Sequence, residues 1–442
     1  MRGAPAPERR VALLVAAAAF AVYNANGRVI TEGDSIPARY LPFAILRSGS
    51  LTLESLGEAP LRHPKNPPYW LLRTPEGRLL SLYPVVTPVL LTPLYVPAAI
   101  GLSVTGWRQH ALERTAVVME KLSASLLSAV SVGLVFLLLA RRLPRGRALV
   151  LTTAYALGTS TWPISSQALW QHGAAHLLFA AALVLLDGPP RPVRLAAAGA
   201  ILGLAVANRP PDVFLAAGLL AFLVLRVRGR SLLALGAAAA AVLPFVAYNV
   251  KYFGNVAGGY GVIGLAGSHP FYDHPIGAGL AGLLLSPAKG LFVFSPFLLF
   301  LGGWAFPGVR RALAREEQCR LFCLGAGCAG FVLFYARTDW RGGACYGPRF
   351  LSDALPFLTL LVAPVVASLS GAGVRVFVAA VALSVFAQGI GALVYPAGRS
   401  DEPFYPADLP RLTLSPAVWS PRLCPILVES RAALRLLAKS RS

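Results

Sequence analysis

Asp34 is the residue whose type and position most directly suggest chemistry. It lies in the run of residues 33–40, just after the first apolar segment of the chain. An ionisable group at the edge of a membrane segment is costly unless it does chemistry or pairs with another group. A carboxylate there can accept the proton of a weakly nucleophilic hydroxyl, a contribution worth roughly 10²–10⁴-fold in rate. Ser35 can cap the helix that follows, so Asp34 is left as a candidate general base.

Positive charges are the second ingredient, because a departing phosphate needs cations aimed at it. Arg349 is the first candidate, since it follows Gly347 and Pro348, where the chain bends and backbone can approach a ligand. The alternative is an arginine that snorkels to lipid headgroups. Asp212, in the short turn after Arg209, is interpreted as a helix cap. Further cations predicted on the same side are Arg209, Arg341, Lys65, Lys121, Lys251 and Lys289.

Two histidine groups raise the question of a metal. His172 and His176 are four residues apart, a spacing that puts both imidazoles on one helix face. Helix-capping or packed histidines are the alternative, and His172 is also a candidate for binding phosphate or sugar. His269, Asp273 and His274 are interpreted as part of a structured loop. The sequence therefore assigns no cofactor and no metal ligand, and a divalent metal stays open.

The composition predicts an all-α polytopic membrane protein. The chain has 442 residues, of which 56% are hydrophobic and only 13% charged, whereas a soluble domain carries about 25% charged residues. The net charge of +21 comes from short basic clusters between apolar segments. That pattern fits basic cytoplasmic loops and argues against nucleic acid as a partner.

Apolar stretches and basic turns predict the topology. We expect about eleven transmembrane helices and a cytoplasmic N-terminus, because the short turns that would lie inside are basic. The first stretch is interpreted as an uncleaved helix rather than a signal peptide. The predicted spans are 10–29, 113–140, 148–164, 172–186, 195–208, 212–225, 231–249, 290–306, 321–336, 354–370 and 374–395.

The longest loops then lie outside, together with most of the acidic residues. A transmembrane domain of residues 1–395 contains a large first outer loop, 24–112, and is followed by a short extracytoplasmic tail, 396–442. In that loop we expect an amphipathic helix over 37–48 and a turn between two extended arms over 69–83. Four prolines predict that 82–104 is a broken helix that lies at, or re-enters, the outer interface. The active site would face outward from the cytoplasmic (inner) membrane.

These features together resemble the GT-C glycosyltransferases, which include the protein O-mannosyltransferases and the aminoarabinose transferases. The likeness rests on Gly-Asp-x-x-x-x-Arg-Tyr after a hydrophobic helix, on the Gly49-Ser50-Leu51 turn and on Tyr83-Pro84. It also rests on the later run 339–351, with Tyr248-Asn249 and Phe253-Gly254-Asn255. Many relatives carry a second acid directly after the first, where this chain has Ser35.

The resemblance implies an inverting transfer of a sugar from a polyprenyl-phosphate carrier to an acceptor hydroxyl on the non-cytoplasmic face. Asp34 would be the base. The acceptor would be a glycan, a lipid or a protein, and membrane lipids are further partners. A lipid-linked-sugar flippase or transporter, and a non-catalytic scaffold, are the alternatives. The predicted substrate- and phosphate-binding residues are Arg39, Tyr40, His172, Arg209, Lys289, Trp340, Tyr346 and Arg349.

Five cysteines are present. Cys345 and Cys424 are both predicted to lie outside, where oxidation is favourable. We expect them to form a disulfide that ties the tail to the loop before Arg349.

Overall fold

The computed structural model describes residues 6–61, 68–266, 274–405 and 415–439. It is 76% helical. Its one described sheet is the antiparallel pair β1 (Leu71–Arg73) and β2 (Leu79–Ser81). The α-helices are α1 Ala6–Asn24, α2 Ile36–Ser48, α3 Val86–Val104, α4 Gln109–Ala140, α5 Arg145–Leu157, α6 Gln171–Leu186, α7 Pro192–Asn208, α8 Val213–Val227, α9 Ser231–Phe253, α10 Gly259–Ala266, α11 Ile276–Leu285, α12 Leu291–Phe294, α13 Pro307–Arg311, α14 Arg315–Ala336, α15 Leu355–Ser368, α16 Gly371–Leu393 and α17 Pro425–Lys439.

This architecture is that of an all-α membrane protein. Within the described ranges, six helical segments are long and apolar enough to cross a membrane: Val86–Val104, Gln109–Ala140, Pro210–Phe253, Arg315–Ala336, Arg349–Ser368 and Gly371–Leu393. Most predicted apolar stretches coincide with one α-helix, although 148–164 is interrupted between α5 and the π-helical segment Thr161–Ser165. The stretch 290–306 differs, because it consists of the four-residue α12 followed by a 3-10 run, Pro296–Ala305. Pro296 cannot donate a helical hydrogen bond, and glycines weaken a regular helix.

The prediction of a broken helix over 82–104 is wrong. α3 is continuous over 19 residues, with Pro93 and Pro97 inside it. Pro88 falls in the first turn, where backbone N–H groups have no partner within the helix. Prolines are tolerated in membrane helices because their neighbours stabilise the freed backbone groups. α3 shares an apolar cluster with Leu112 and Ala116, in the first half of α4.

The first loop folds against the helices. The predicted extended arms are confirmed, since Leu72 pairs with Leu80 in the β1–β2 hairpin. The predicted helix after Asp34 is also confirmed as α2, which packs mainly on α3 and is buried over its first half. Ser35 occupies the N-cap position, but its hydroxyl makes no capping bond and instead donates to the Glu32 carbonyl. The expected cap by Ser35 is therefore wrong.

A buried charge cluster lies at the end of the bundle opposite Asp34. Asp187, after α6, accepts hydrogen bonds from Arg141, Arg142 and Arg320, each at 2.5 Å. Arg142 also pairs with Glu317 of α14 at 2.8 Å. Burial alone would raise the pKa of Asp187, but the Arg142 hydrogen bond and the Arg320 charge outweigh it and lower that pKa. The cluster joins three turns that the charge pattern predicted to share one side.

Candidate functional site

Asp34 is held by two donors that are distant in sequence. The Tyr83 hydroxyl donates to Asp34 Oδ1 at 2.6 Å, and Arg349 Nη1 donates to Asp34 Oδ2 at 2.8 Å. The carboxylate side chain keeps 23% of its surface exposed. Gly33 makes this placement possible, because a Cβ there would come within 2.2 Å of the Tyr69 hydroxyl and 2.5 Å of the Trp70 ring. The sequence therefore places a partly accessible acid against a closely packed backbone.

Arg349 is positioned by the turn before α15. Gly347 adopts φ +69, a conformation that glycine accepts readily, and the 3-10 run Arg349–Ala354 then leads into α15. The guanidinium carbon of Arg349 lies 4.6 Å from the centre of the Trp170 ring. Trp170 is in turn fixed by its indole N–H, which donates to the Ile30 carbonyl at 3.2 Å. This cation–π contact and the Asp34 pair hold the arginine against the segment that precedes α2.

A second buried arginine, Arg209, is held by groups from three helices. Its Nε lies 2.7 Å from Asp353 Oδ2, and its Nη2 donates to the Tyr335 hydroxyl. His172 Nδ1 lies 2.7 Å from Asp353 Oδ1, and His172 Nε2 lies 3.5 Å from Arg209 Nη1. This geometry fits the His172 tautomer whose proton is on Nδ1 and donated to Asp353. Asp212 is fully buried beside this group, within hydrogen-bond reach of Asp353.

Tyr260 lies between the two arginine groups. Its hydroxyl donates to Gln171 at 2.8 Å, and its ring centre is 5.9 Å from that of Tyr83. Burial raises the pKa of Tyr260 to about 12, with the Arg209 charge opposing the shift, the Asp34 charge adding to it and the Arg349 charge opposing it again. The pKa of Tyr260 therefore depends on charges from both arginine groups. The residues form a single polar site at this end of the bundle.

Glu32 is a second acid that sequence reasoning missed. Its side chain is partly exposed at the mouth of the site. Loss of hydration over its buried part, and then repulsion from Asp401 and Asp34, raise its pKa to about 7. Glu32 also lines a cavity of about 90 Å³ together with Trp170 and Tyr395. The sequence feature that could have identified Glu32 is its position two residues before Asp34. The prediction looked for a partner acid after Asp34, whereas the chain carries one before it.

The structure gives other partners to five of the predicted binding residues. Arg39 forms an ion pair with the buried Glu120 of α4, and Tyr40 belongs to the apolar cluster of α2. Lys289 donates to the Cys345 carbonyl at 2.5 Å. The Trp340 ring packs against Gly282, and the Tyr346 hydroxyl donates to the Ala387 carbonyl at 2.6 Å.

The other cation candidates also have protein partners. Lys121 donates to Gln167 at 2.5 Å, and Arg341 forms two hydrogen bonds with Asp339 at 2.7 and 2.8 Å. Lys251 lies 5.2 Å from the centre of the Tyr252 ring. The predicted Lys65, His269 and Asp273 lie outside the described residues.

The described residues offer no group of three or more His, Cys, Asp or Glu side chains that fits a metal ion. His172 faces Asp353, whereas His176 Nε2 lies 2.7 Å from the Ser352 carbonyl. The two imidazoles share a helix face as predicted, but each has its own partner.

The expected disulfide between Cys345 and Cys424 is wrong. Both residues are free and buried. The Cys345 thiol sulfur instead lies 3.3 Å from Lys289 Nζ, beneath the loop before Arg349.

Comparison with known proteins identifies no relative. No protein-family model, curated protein or solved structure matches the chain. The class that fold and composition define is an all-α membrane protein.

Proposed function

We propose that this protein is an integral-membrane glycosyltransferase that moves a sugar from a polyprenyl-phosphate carrier to an acceptor hydroxyl. The observation that carries the proposal is the partly exposed Asp34 carboxylate held at hydrogen-bond distance by Arg349 and Tyr83. Beside it lies a second buried cation, Arg209. An acid next to two arginines is the combination that deprotonation of a hydroxyl and departure of a phosphate require.

The reaction divides between these groups. The acceptor oxygen forms a bond to the anomeric carbon while the bond from that carbon to the phosphate oxygen breaks, with inversion. The acceptor proton goes to Asp34, and the electron pair leaves with the polyprenyl phosphate. Arg349 and Arg209 hold that negative charge, since the guanidinium fork matches phosphate oxygens.

The ion pair in the resting protein supports an order of events. Arg349 Nη1 binds Asp34 Oδ2 when no phosphate is present. An arriving donor phosphate competes for the same guanidinium and releases one oxygen of the carboxylate. Asp34 then accepts a proton only when the donor is in place, which limits wasteful hydrolysis of the carrier.

The proposed orientation follows the charge pattern. We place the N-terminus in the cytoplasm, about eleven spans in the inner membrane, and the site on the outer face. α3 is long and apolar enough to cross, but we do not count it as a crossing, because counting it would put the basic turn of residues 141–147 on the outer side. α4 has 32 residues, and at 1.5 Å per residue it is long enough to extend well beyond the bilayer core. α3 therefore begins near the site and runs outward along that extension.

The test is transfer from a panel of polyprenyl-phosphate monosaccharides, measured with the purified protein in nanodiscs. Asp34→Asn keeps the size of the side chain but removes the base, so we expect transfer to fall about 100-fold or more. Glu402→Gln is the matched control, because Glu402 is an acid at the same end with a side chain 62% exposed. It should leave the rate unchanged.

Arg349→Lys keeps the charge but loses the fork, so the KM for donor should rise more than kcat falls. Near-normal transfer by folded Asp34→Asn protein would refute the base assignment. Movement of the labelled carrier across a vesicle, without any transfer by the wild type, would favour the flippase.

A further inference from the structure

α17 has two faces of different chemistry. Leu427, Leu434 and Leu437 are 45%, 67% and 59% exposed. Arg431 and Arg435 are four residues apart, so they form one stripe along the helix. Leu427 and Leu434 are seven residues apart and share a different stripe. Exposed leucines beside a basic stripe indicate a surface that binds a protein or a membrane.

The helix is fixed at its base. Glu429 is fully buried, and its carboxylate accepts hydrogen bonds from the Gly398 N–H at 2.6 Å and the Ser400 N–H at 3.1 Å. These residues follow the end of α16, on which α17 packs. The last turn of α16 exposes Leu393 to 50%. α17 therefore packs on a helix that is long and apolar enough to cross a membrane.

Among the residues that the structure describes, no carboxylate pairs with the basic stripe. Neither Arg431 nor Arg435 forms an ion pair with any residue that the structure describes. The acid in the same helix, Glu429, points inward to backbone N–H groups. The outer face of α17 thus carries uncompensated positive charge next to apolar side chains, which is the pattern of helices that lie in a bilayer interface.

We propose that α17 is an interfacial helix that binds anionic phospholipid headgroups in the leaflet nearest the candidate site. Its leucines enter the boundary between headgroups and acyl chains, and its arginines contact lipid phosphates. Each basic residue near an anionic surface strengthens binding roughly fivefold, so the two arginines contribute roughly 25-fold. The proposal concerns a surface of the protein and does not depend on the glycosyltransferase assignment.

Hydrogen exchange of the full chain tests it. The protein is placed in nanodiscs of phosphatidylcholine alone or with phosphatidylglycerol, and exchange of residues 425–439 is followed by mass spectrometry. We expect exchange to slow roughly 25-fold in the anionic discs, and high salt should reverse the effect. The double variant R431Q/R435Q should lose the difference between the two lipids.

A matched control removes the same charge elsewhere. R310Q/R311Q alters two exposed arginines of α13 and should keep the lipid difference of α17. L434Q should reduce protection in both lipids, because it acts on the apolar face. Equal exchange of α17 in the two lipids would overturn the proposal. Protection that depends on protein concentration instead of lipid charge would also overturn it, and would identify a second copy as the occupant.

Discussion

The buried pair of Arg39 and Glu120 offers the sharpest test of how the site is positioned. Arg39 lies five residues after Asp34, and Glu120 is the α4 residue that holds it. The side chains are 10% and 0% exposed. Glu120 Oε1 also accepts the Leu169 N–H at 3.1 Å, so this carboxylate joins α2, α4 and the segment before α6. The pair is therefore expected to hold the first loop against α4.

The expected loss of stability follows from the burial of this ion pair. Glu120→Gln keeps the acceptor for Leu169 but leaves the Arg39 guanidinium among apolar neighbours without a counter-charge. Removing one partner of a buried pair costs about 3–5 kcal/mol, and Arg39→Met should cost a comparable amount. The double variant removes both charges, so its loss should be far below the sum, with a coupling energy of about 3 kcal/mol.

The assay is unfolding in mixed detergent micelles containing increasing SDS, followed by tryptophan fluorescence for the wild type and the three variants. Sugar transfer is measured on the same samples. If Arg39 is only structural, the folded double variant retains transfer within a few-fold. Additive losses of stability would refute the coupling argument. A loss of transfer above 100-fold in a stably folded double variant would instead return Arg39 to the predicted role in phosphate binding.

Three further predictions concern ionisation and thiol state. Because the pKa of Asp187 is lowered in the folded protein, the stabilisation by its carboxylate is present above the ordinary carboxyl pKa of about 4 and is lost as pH falls through the lower folded pKa. Asp187→Asn should therefore cost about 3 kcal/mol of folding stability at pH 7, and the stability of this variant should change less with pH in the acid range. The pKa of Glu32 is raised to about 7, so its ionised form opposes folding as pH rises from the ordinary value; Glu32→Gln should increase stability at pH 8 and leave it unchanged at pH 4. Alkylation of unfolded, unreduced protein should add mass to both Cys345 and Cys424, and a species with neither labelled would contradict the free thiols.

Local sequence pattern predicted two elements of the first loop correctly. The alternation around the turn at Gly77 predicted the β1–β2 hairpin, and the apolar spacing after Asp34 predicted α2. Proline content misled for α3, which stays continuous although Pro93 and Pro97 lie inside it on its exposed face. Proline propensities describe an isolated helix, whereas α3 is packed against α2 and α4.

The candidate site was predictable only in part. Asp34, Arg349, Arg209 and His172 were chosen from type and position, and the structure brings them to one end of the bundle. Lys289 looked equally suitable by the same criteria, yet its ammonium binds carbonyls of the loop that precedes Arg349. A cation on the correct side of the membrane can serve either a ligand or the backbone, and only its neighbours distinguish the two.

The sequence by itself determined that this is a helical membrane protein with basic turns at one end and an acid placed just after its first apolar segment. These properties depend on composition and on spacing along the chain, which local periodicity and charge reveal. Tertiary structure alone decided that Asp34 meets Arg349, 315 residues away. It also decided that Arg39 is committed to Glu120 and that Glu32 is the second acid at the site. The reason is physical: ion pairs and buried hydrogen bonds depend on distances of a few ångströms, which packing sets and sequence separation does not.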